Sequence, residues 1–395
     1  MIRLYDGKEH CCGCSACANV CPKNSIIMSA DEEGFLYPKI DTNSCIECGA
    51  CIKVCDFHKK EYSVKIPTLQ EVYALKHIGE EVRRSSSSGG AFTAISDYVL
   101  KHNGVVYGAI FNDKFEVTHS KAFNTEQRDK MRGSKYVQST LGSIFKDIKA
   151  TLKSGKLVLF TGTPCQNGGL KSYLGNEYDN LITCDILCYG VPSPKVWEDY
   201  KKQLENKYKD KISNVTFRSK DKGWRDGSLK VSFNHSEYLK SMQDDPYHIL
   251  FFSHLNIRPS CHECVYASFH RATDLTMGDF WGIENSEKAF DDNKGVSLLL
   301  VNTKKGKEII EEIKSDLCLI KSNHTNCYQP IFEAPSKISP KRQIFWKEYL
   351  QEDSTNMIDK YGRIGTIQTI VKKVVVPILK KTGLFNFVAR IYFKH

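Results

Sequence analysis

The chain has 395 residues, a formal net charge of +10 and 16 cysteines, a length that suits two or three domains rather than one ordinary core. So many cysteines in a large chain, set at metal-ligand spacings, exclude the disulfide scaffold of a small secreted protein. The positive sum does not mark a nucleic-acid binder, because no module interleaves basic and aromatic residues.

Residues 1–60 hold seven Lys/Arg against eight Asp/Glu. Arg3, Asp6, Lys8 and Glu9 charge the stretch where an export leader would be apolar, so no leader is expected. Cys11, Cys14, Cys17 and Cys21 follow the spacing C-x2-C-x2-C-x3-C and are closed by Pro22; Cys45, Cys48, Cys51 and Cys55 repeat it, with Asp56 in the proline's place. This is the ligand pattern of a bacterial two-cluster ferredoxin, in which three close thiolates wrap one cuboidal cluster and the fourth reaches the other. The expected sets are Cys11, Cys14, Cys17 and Cys55 on one cluster, and Cys45, Cys48, Cys51 and Cys21 on the other. Structural zinc also uses paired cysteines, but has no need of the third close step or the crossed ligand. Cys12 reads as a bystander thiol, and Asp56 as a charge able to shift the potential of its cluster. Residues 25–28 and 34–37 read as a strand, turn and strand between the two runs. A polar stretch at 59–67 reads as a linker.

Beyond it, strands and helices alternate, which predicts an α+β or α/β body. Strands are expected at 72–76, Val105–Phe111, 158–160, 181–187 and Ser297–Val301, with helices at Ala91–Lys101, from about Pro194, and at 304–314. Ser85-Ser-Ser-Ser-Gly89-Gly90-Ala91-Phe92 opens the first helix, where serine hydroxyls can cap free N–H groups and glycines admit a phosphate; a serine-capped helix alone would also explain it. Arg132-Gly-Ser-Lys-Tyr-Val-Gln-Ser139 offers two cations and several donors, or a solvated loop. In Thr161-Gly-Thr-Pro-Cys165-Gln166, Pro164 suits a first helical turn and places Cys165 where a thiolate is favoured. That cysteine reads as a redox thiol, a cluster ligand or a structural residue. Cys188, in Asp185-Ile-Leu-Cys-Tyr-Gly, and the pair Cys261 and Cys264 would complete four thiolates with it. Cys184 also lies nearby, and a disulfide-active pair or a zinc site stays open. Asp274-Leu-Thr-Met-Gly-Asp-Phe-Trp-Gly282 follows. Cys318 and Cys327 have no assigned role. No G-x-G-x-x-G supports bound NAD.

Residues 361–395 hold seven Lys/Arg and no acid, with Ile367, Ile370, Val371, Val374 and Ile378 among the lysines. Such a basic amphipathic tail would suit an anionic membrane surface or dock on protein, although Pro377 would kink a helix there. The expected location is cytoplasmic, with the tail able to bring the chain to the inner face of the membrane.

Taken together, SSSSGGAF, RGSKYVQS, GTPCQ, CYGVPSP, RPSCHEC and MGDFWG resemble the beta subunit family of coenzyme F420 hydrogenase/dehydrogenase, from about Tyr73 to Gly282 and more weakly to about 350. A fused ferredoxin unit also occurs in that family. The resemblance implies a two-cluster domain at 1–60, the family's N-terminal region at 71–148, its C-terminal region at 149–335, and an extension at 336–395. It implies an FAD-binding, iron–sulfur body in which Cys165, Cys188, Cys261 and Cys264 hold a third cluster. By the same resemblance, Ser87, Ser88, Gly89, Gly90, Arg132, Ser134, Lys135 and Gln138 contact FAD. The implied function is an oxidoreductase passing electrons between 4Fe–4S clusters and a hydride carrier. Its partner would be a ferredoxin-like protein, a deazaflavin or another redox donor or acceptor, and many bacterial relatives look like enzymes of surface-polysaccharide gene clusters. The alternative is a non-catalytic electron-transfer subunit of a larger dehydrogenase or hydrogenase.

Overall fold

The computed structural model describes residues 2–58 and 70–363; the expected linker at 59–67 and the basic tail lie outside them. In the first unit each cysteine run ends in a short helix, Ala16–Val20 and Ala50–Lys53, entered through a left-handed residue, Ser15 (φ 61°) and Gly49 (φ 72°). The repeat seen in the sequence is thus a repeat of turn geometry. An antiparallel hairpin of β1 (Ile26–Ala30) and β2 (Leu36–Ile40), in register Ile26 to Ile40, lies between the halves.

The body contains β3 (Glu71–His77), β4 (Val105–Phe111), β5 (Val117–Ala122), β6 (Val158–Gly162), β7 (Leu181–Ile186), β8 (Ile212–Ser219), β9 (Ser228–Phe233), β10 (Glu237–Ser241), β11 (Leu275–Asp279), β12 (Ser297–Val301) and β13 (Leu317–Ser322). Eight of them form one sheet in the order β13-β3-β12-β11-β7-β6-β4-β5. Its centre, β4, β6, β7 and β11, is parallel, and antiparallel strands complete both sides. Helices cover both faces, so the inner strands read as unbroken apolar runs: Val158, Leu159 and Phe160, and Leu298, Leu299 and Leu300, are wholly buried. The helix Ala91–Lys101 turns Ala91, Ala94, Ile95 and Val99 onto this sheet. Between β7 and β11 the chain leaves the sheet to build a smaller layer: the helix Pro194–Tyr208, the antiparallel sheet β10-β9-β8 and the helix Pro246–Phe252. Two further helices, Arg342–Gln351 and Ser354–Tyr361, close that layer's core through Phe345, Trp346 and Ile358.

The ferredoxin unit is seated on the body rather than hung from it. The helix Pro164–Leu174 passes so close to the first cysteine run that a β-carbon at Gly169 would lie 2.8 Å from Cys14 Sγ. Asn19 donates to Gly142 O at 2.8 Å and accepts from Lys146 N at 3.3 Å. Ser172 Oγ donates to Val54 O at 2.7 Å. On the far side Arg342 clasps Glu33 through both guanidinium nitrogens, NH1 to Oε1 at 3.0 Å and NH2 to Oε2.

Candidate redox site

The cysteines gather into three sets. Cys21, Cys45, Cys48 and Cys51 surround one small space whose walls come entirely from the ferredoxin unit; Cys48 is exposed, and this is the outer set. Cys11, Cys14, Cys17 and Cys55 surround a second space that Cys51 also borders and that Cys165, Gly169 and Tyr266 close from the body side; this is the inner set. Cys12 lines the inner space as well. Asp56, in the place of the closing proline, borders the inner space and accepts from Tyr266 Oη at 2.9 Å.

The third set belongs to the body. Cys165 sits in the first turn of the helix Pro164–Leu174, which Thr163 and Gln166 close with reciprocal side-chain caps. Cys188 follows the end of β7, and Cys261 and Cys264 come from the 3-10 turn Pro259–Glu263 and the residue after it. All three interact electrostatically with Cys165. Cys184 does not join them; it is wholly buried in β7 within the apolar core. Cys318 is exposed, and Cys327 is buried in another part of the core.

The helix N-terminus does not make Cys165 a ready thiolate. A hydrogen bond with Cys12 and burial push the thiol well up, outweighing the Thr163 hydroxyl. Cys12, expected to be a bystander, is half-buried between Cys14 and Cys165 and hydrogen-bonds with both. Burial also pushes Cys17 and Cys261 up to about 12 and Cys264 to about 11. Thiols that hold their protons this firmly are poor nucleophiles, and coordination is what would remove the proton. Among the described residues, no three His, Cys, Asp or Glu side chains are arranged to hold a single metal ion. One tetrahedral zinc, with bonds of about 2.3 Å, would need its sulfurs about 4 Å apart.

Beside the third set a cavity of about 600 Å³ opens. Its floor is the carboxyl end of the parallel strands, with Ala109 of β4, Thr161 and Gly162 of β6, Ile186 of β7 and Met277 to Asp279 of β11. That is where open α/β sheets place ligands. Cys188 lines the cavity too. So do Ser87, Ser88, Gly90, Arg132, Ser134 and Lys135. Gly89 stands behind them, donating its N–H to Ser297 Oγ at 2.8 Å. Gln138 lies elsewhere, at the ferredoxin seam, donating Nε2 to Cys12 O at 2.9 Å.

The serines do not cap the helix Ala91–Lys101. Ser85 and Ser86 donate to carbonyls of the preceding helix, Glu80–Ser85; Ser88 donates to Val296 O at 2.8 Å, and Ser87 accepts from Ser134 N at 2.8 Å. The cap residue is Gly90 (φ 99°), with no side-chain cap. The helix start therefore presents uncapped N–H groups to the cavity, beside Arg132 and Lys135, and this is anion-binding chemistry. Burial pushes Lys135 down to about 7, although Met131 O, Arg132 O and Gly133 O all accept from its ammonium. At the opposite wall Asp279 Oδ2 accepts from Arg218 at 2.8 Å and Oδ1 accepts from Trp224 Nε1 at 2.8 Å. Trp224 stacks on Trp281, ring centroids 4.7 Å apart, and Trp281 lines the cavity. Asp279 and Trp281 belong to the MGDFWG motif, whereas Arg218 and Trp224 lie in no motif. His119 also lines the space; its Nε2 meets Thr161 O at 3.0 Å, and its buried Nδ1 has no partner among the described residues.

Binding an anion here is expected to take up protons. With a pKa of about 7, Lys135 is roughly nine-tenths neutral at pH 8 in the free chain. An anion favours its charged form, so binding of sulfate, which carries no proton of its own to lose, should take up protons at pH 8 and few at pH 6. Calorimetry in two buffers of different ionisation enthalpy checks this. Lys135→Met should abolish the difference; equal heats in both buffers for the unaltered chain would reject it.

A two-cluster ferredoxin unit seated on a mixed α/β body defines an iron–sulfur electron-transfer protein of the oxidoreductase class. Residues 155–325 match the C terminus of the coenzyme F420 hydrogenase/dehydrogenase beta subunit, and residues 10–58 match a 4Fe-4S dicluster domain. The chain thus carries a region similar to the C terminus of that beta subunit family, with a 4Fe-4S dicluster domain ahead of it. An uncharacterized protein of Methanocaldococcus jannaschii is 24% identical over 342 residues, covering 75% of this chain and 85% of that protein. A coenzyme F420-dependent sulfite reductase of the same organism is 30% identical over 166 residues, which is 41% of this chain and 24% of the relative. The chain thus spans about a quarter of that relative's length. A chain of the F420-reducing NiFe hydrogenase complex from Methanosarcina barkeri has a TM-score of 0.45 at 18% identity, over 76% of this chain and 94% of that one. Among the described residues no helix is long and apolar enough to cross a membrane.

Proposed function

We propose that this chain is a flavin- and iron–sulfur-dependent oxidoreductase, with FAD in the 600 Å³ cavity and a third 4Fe–4S cluster on Cys165, Cys188, Cys261 and Cys264. The observation that carries it is Cys188, which belongs to the half-buried body thiol set and also forms part of the cavity wall. The volume lies within the roughly 300–1,000 Å³ of ligand sites. The uncapped helix start with Arg132 and Lys135 suits a pyrophosphate, and the unpartnered His119 Nδ1 and the face of Trp281 suit a ring system bearing N–H groups. Bound there, FAD would supply the exchange between single electrons and a two-electron or hydride step.

The chain's own residues supply position and shielding. Gly168 and Gly169 let the helix Pro164–Leu174 approach the inner set, so the outer, inner and body sets and the cavity follow one another. A one-electron partner, a ferredoxin-like protein for example, would meet the chain at the outer set, where Cys48 is exposed. A deazaflavin or another hydride carrier would meet it at the cavity.

Anaerobic purification with iron, sulfide and flavin analysis tests the proposal. About twelve irons and one FAD per chain are expected; eight irons without flavin would overturn it. A second reading, an electron-transfer unit working only within a larger assembly, is supported by the sulfite reductase, in which the matching segment is about a quarter of a longer chain. Reduction of a viologen or a deazaflavin by the isolated chain decides between the two.

A further inference from the structure

Arg258 stands at the seam between the ferredoxin unit and the body, wholly buried, at the start of the turn that carries Cys261. Its hydrogen bonds cross the seam. Nε donates to Cys11 O at 2.7 Å, NH2 to Leu36 O at 3.0 Å and NH1 to Gln138 Oε1 at 2.9 Å. NH2 also points to Cys11 Sγ at 3.7 Å. The Tyr37 ring centroid lies 4.2 Å from its central carbon. Each of these oxygen acceptors is a carbonyl or an amide. None of these partners is a carboxylate; the acidic groups that face it include Cys11, Tyr37, Cys12 and Cys261, with Tyr5 and Cys165. A buried cation without a counter-charge is strongly unfavourable. Thiolates and the sites they build are the counter-charge this environment offers.

We propose that Arg258 is a positioning residue that holds the Cys11, Cys14, Cys17 and Cys55 site at a higher reduction potential than the outer site, and so draws electrons toward the body. Reduction adds one electron and no proton, taking a four-thiolate 4Fe–4S site from a charge of roughly −2 to roughly −3. A buried guanidinium beside Cys11 favours the more negative state, and an N–H donor on a ligating sulfur acts in the same direction. The outer space has one cation on its wall, Lys23, which is exposed and therefore screened by solvent. Asp56 opposes the effect at the inner site, but its carboxylate is shared with the Tyr266 hydroxyl. The ferredoxin sites alone enter the statement, so it holds whether or not flavin and the Cys165 set are found.

The test is an EPR-monitored redox titration of the full chain, prepared without oxygen, with iron and flavin measured on the same samples. Cys48→Ser disturbs the outer site alone and assigns the signals. Arg258→Gln should lower the inner site's reduced-to-oxidised ratio at fixed potential about tenfold, or about 59 mV for one electron, and leave the outer site unchanged. Arg258→Lys, which keeps the charge, should stay within about threefold. Gln138→Glu sets a carboxylate against NH1 and should reproduce the loss with the arginine still in place, an effect a purely structural role would not produce. Should Arg258→Gln fail to retain iron, Gln138→Glu decides. An inner ratio unchanged in the variants that keep their iron would overturn the proposal, as would equal shifts of the inner and outer sites.

Discussion

Cys188→Ala is expected to lower iron from about twelve to about eight per chain, while both ferredoxin signals persist. Of the four body thiols, Cys188 is the one whose loss reads most cleanly. Cys165 is bonded to Cys12 and borders the inner set, and Cys261 lies on the turn begun by Arg258. Cys188 faces the cavity instead. Its variant should therefore keep the ferredoxin unit seated and retain flavin, yet lose flavin reduction by electrons delivered at the outer set. A hydride donor reacting at the cavity should still reduce the flavin. Cys184→Ala, four residues earlier, is the matched control, because Cys184 fills space inside the sheet. It should keep all its iron and lose about 1 kcal/mol of stability. Full iron content in Cys188→Ala would remove the body set from consideration as a cluster site.

What could be read from the sequence was local. The ferredoxin sets follow from eight cysteines whose spacing encodes turn geometry over a few residues. The helix Ala91–Lys101 and the strands Val105–Phe111 and Ser297–Val301 fall where expected, because glycines and apolar runs bound them sharply. Other strands are a residue or two longer or shorter, as β6 and β7 show. The small sheet β8 to β10 passed unnoticed: its strands mix lysine, serine and asparagine with their apolar residues, and its core partners come from helices that close the chain. The serine loop is legible as the opening of a helix but not in detail, since its hydroxyls serve the preceding helix and the neighbouring loop. Gln138 sits only three residues from Lys135 and yet faces the opposite unit, a change of direction that motif matching does not carry. Arg258 had no legible role at all, because its partners Cys11 and Gln138 lie 247 and 120 residues away.

Asp245 is a second residue with no motif around it, and its removal is expected to be the most destabilising single change in the smaller layer. The carboxylate is wholly buried and caps the helix Pro246–Phe252, Oδ1 accepting from His248 N at 2.9 Å and meeting His248 Nδ1 at 2.7 Å. Oδ2 accepts from Tyr200 Oη at 2.6 Å and Tyr238 Oη at 2.8 Å. Burial raises its pKa, but His248 and the tyrosine hydroxyls outweigh that, and the group stays below the ordinary carboxylate range. Asp245→Ala loses an N-cap worth about 1 kcal/mol and leaves His248 Nδ1 and one tyrosine hydroxyl unpartnered at about 1.5 kcal/mol each, since Tyr200 and Tyr238 still bond each other at 3.0 Å, roughly 4 kcal/mol in all. Asp245→Asn keeps the cap oxygen and the volume and should lose about 1–2 kcal/mol. The consequence reaches the redox site, because this helix brings Phe251 and Phe252 to the cavity wall and Tyr247 fixes Tyr136 there by donating to its carbonyl at 2.6 Å. Urea titration followed by far-UV circular dichroism should order the midpoints as unaltered chain, then Asp245→Asn, then Asp245→Ala. Flavin should be lost from the alanine variant before iron, since the cluster cysteines lie outside the layer that gives way. Loss of iron first would mean that the smaller layer supports the seam rather than the cavity.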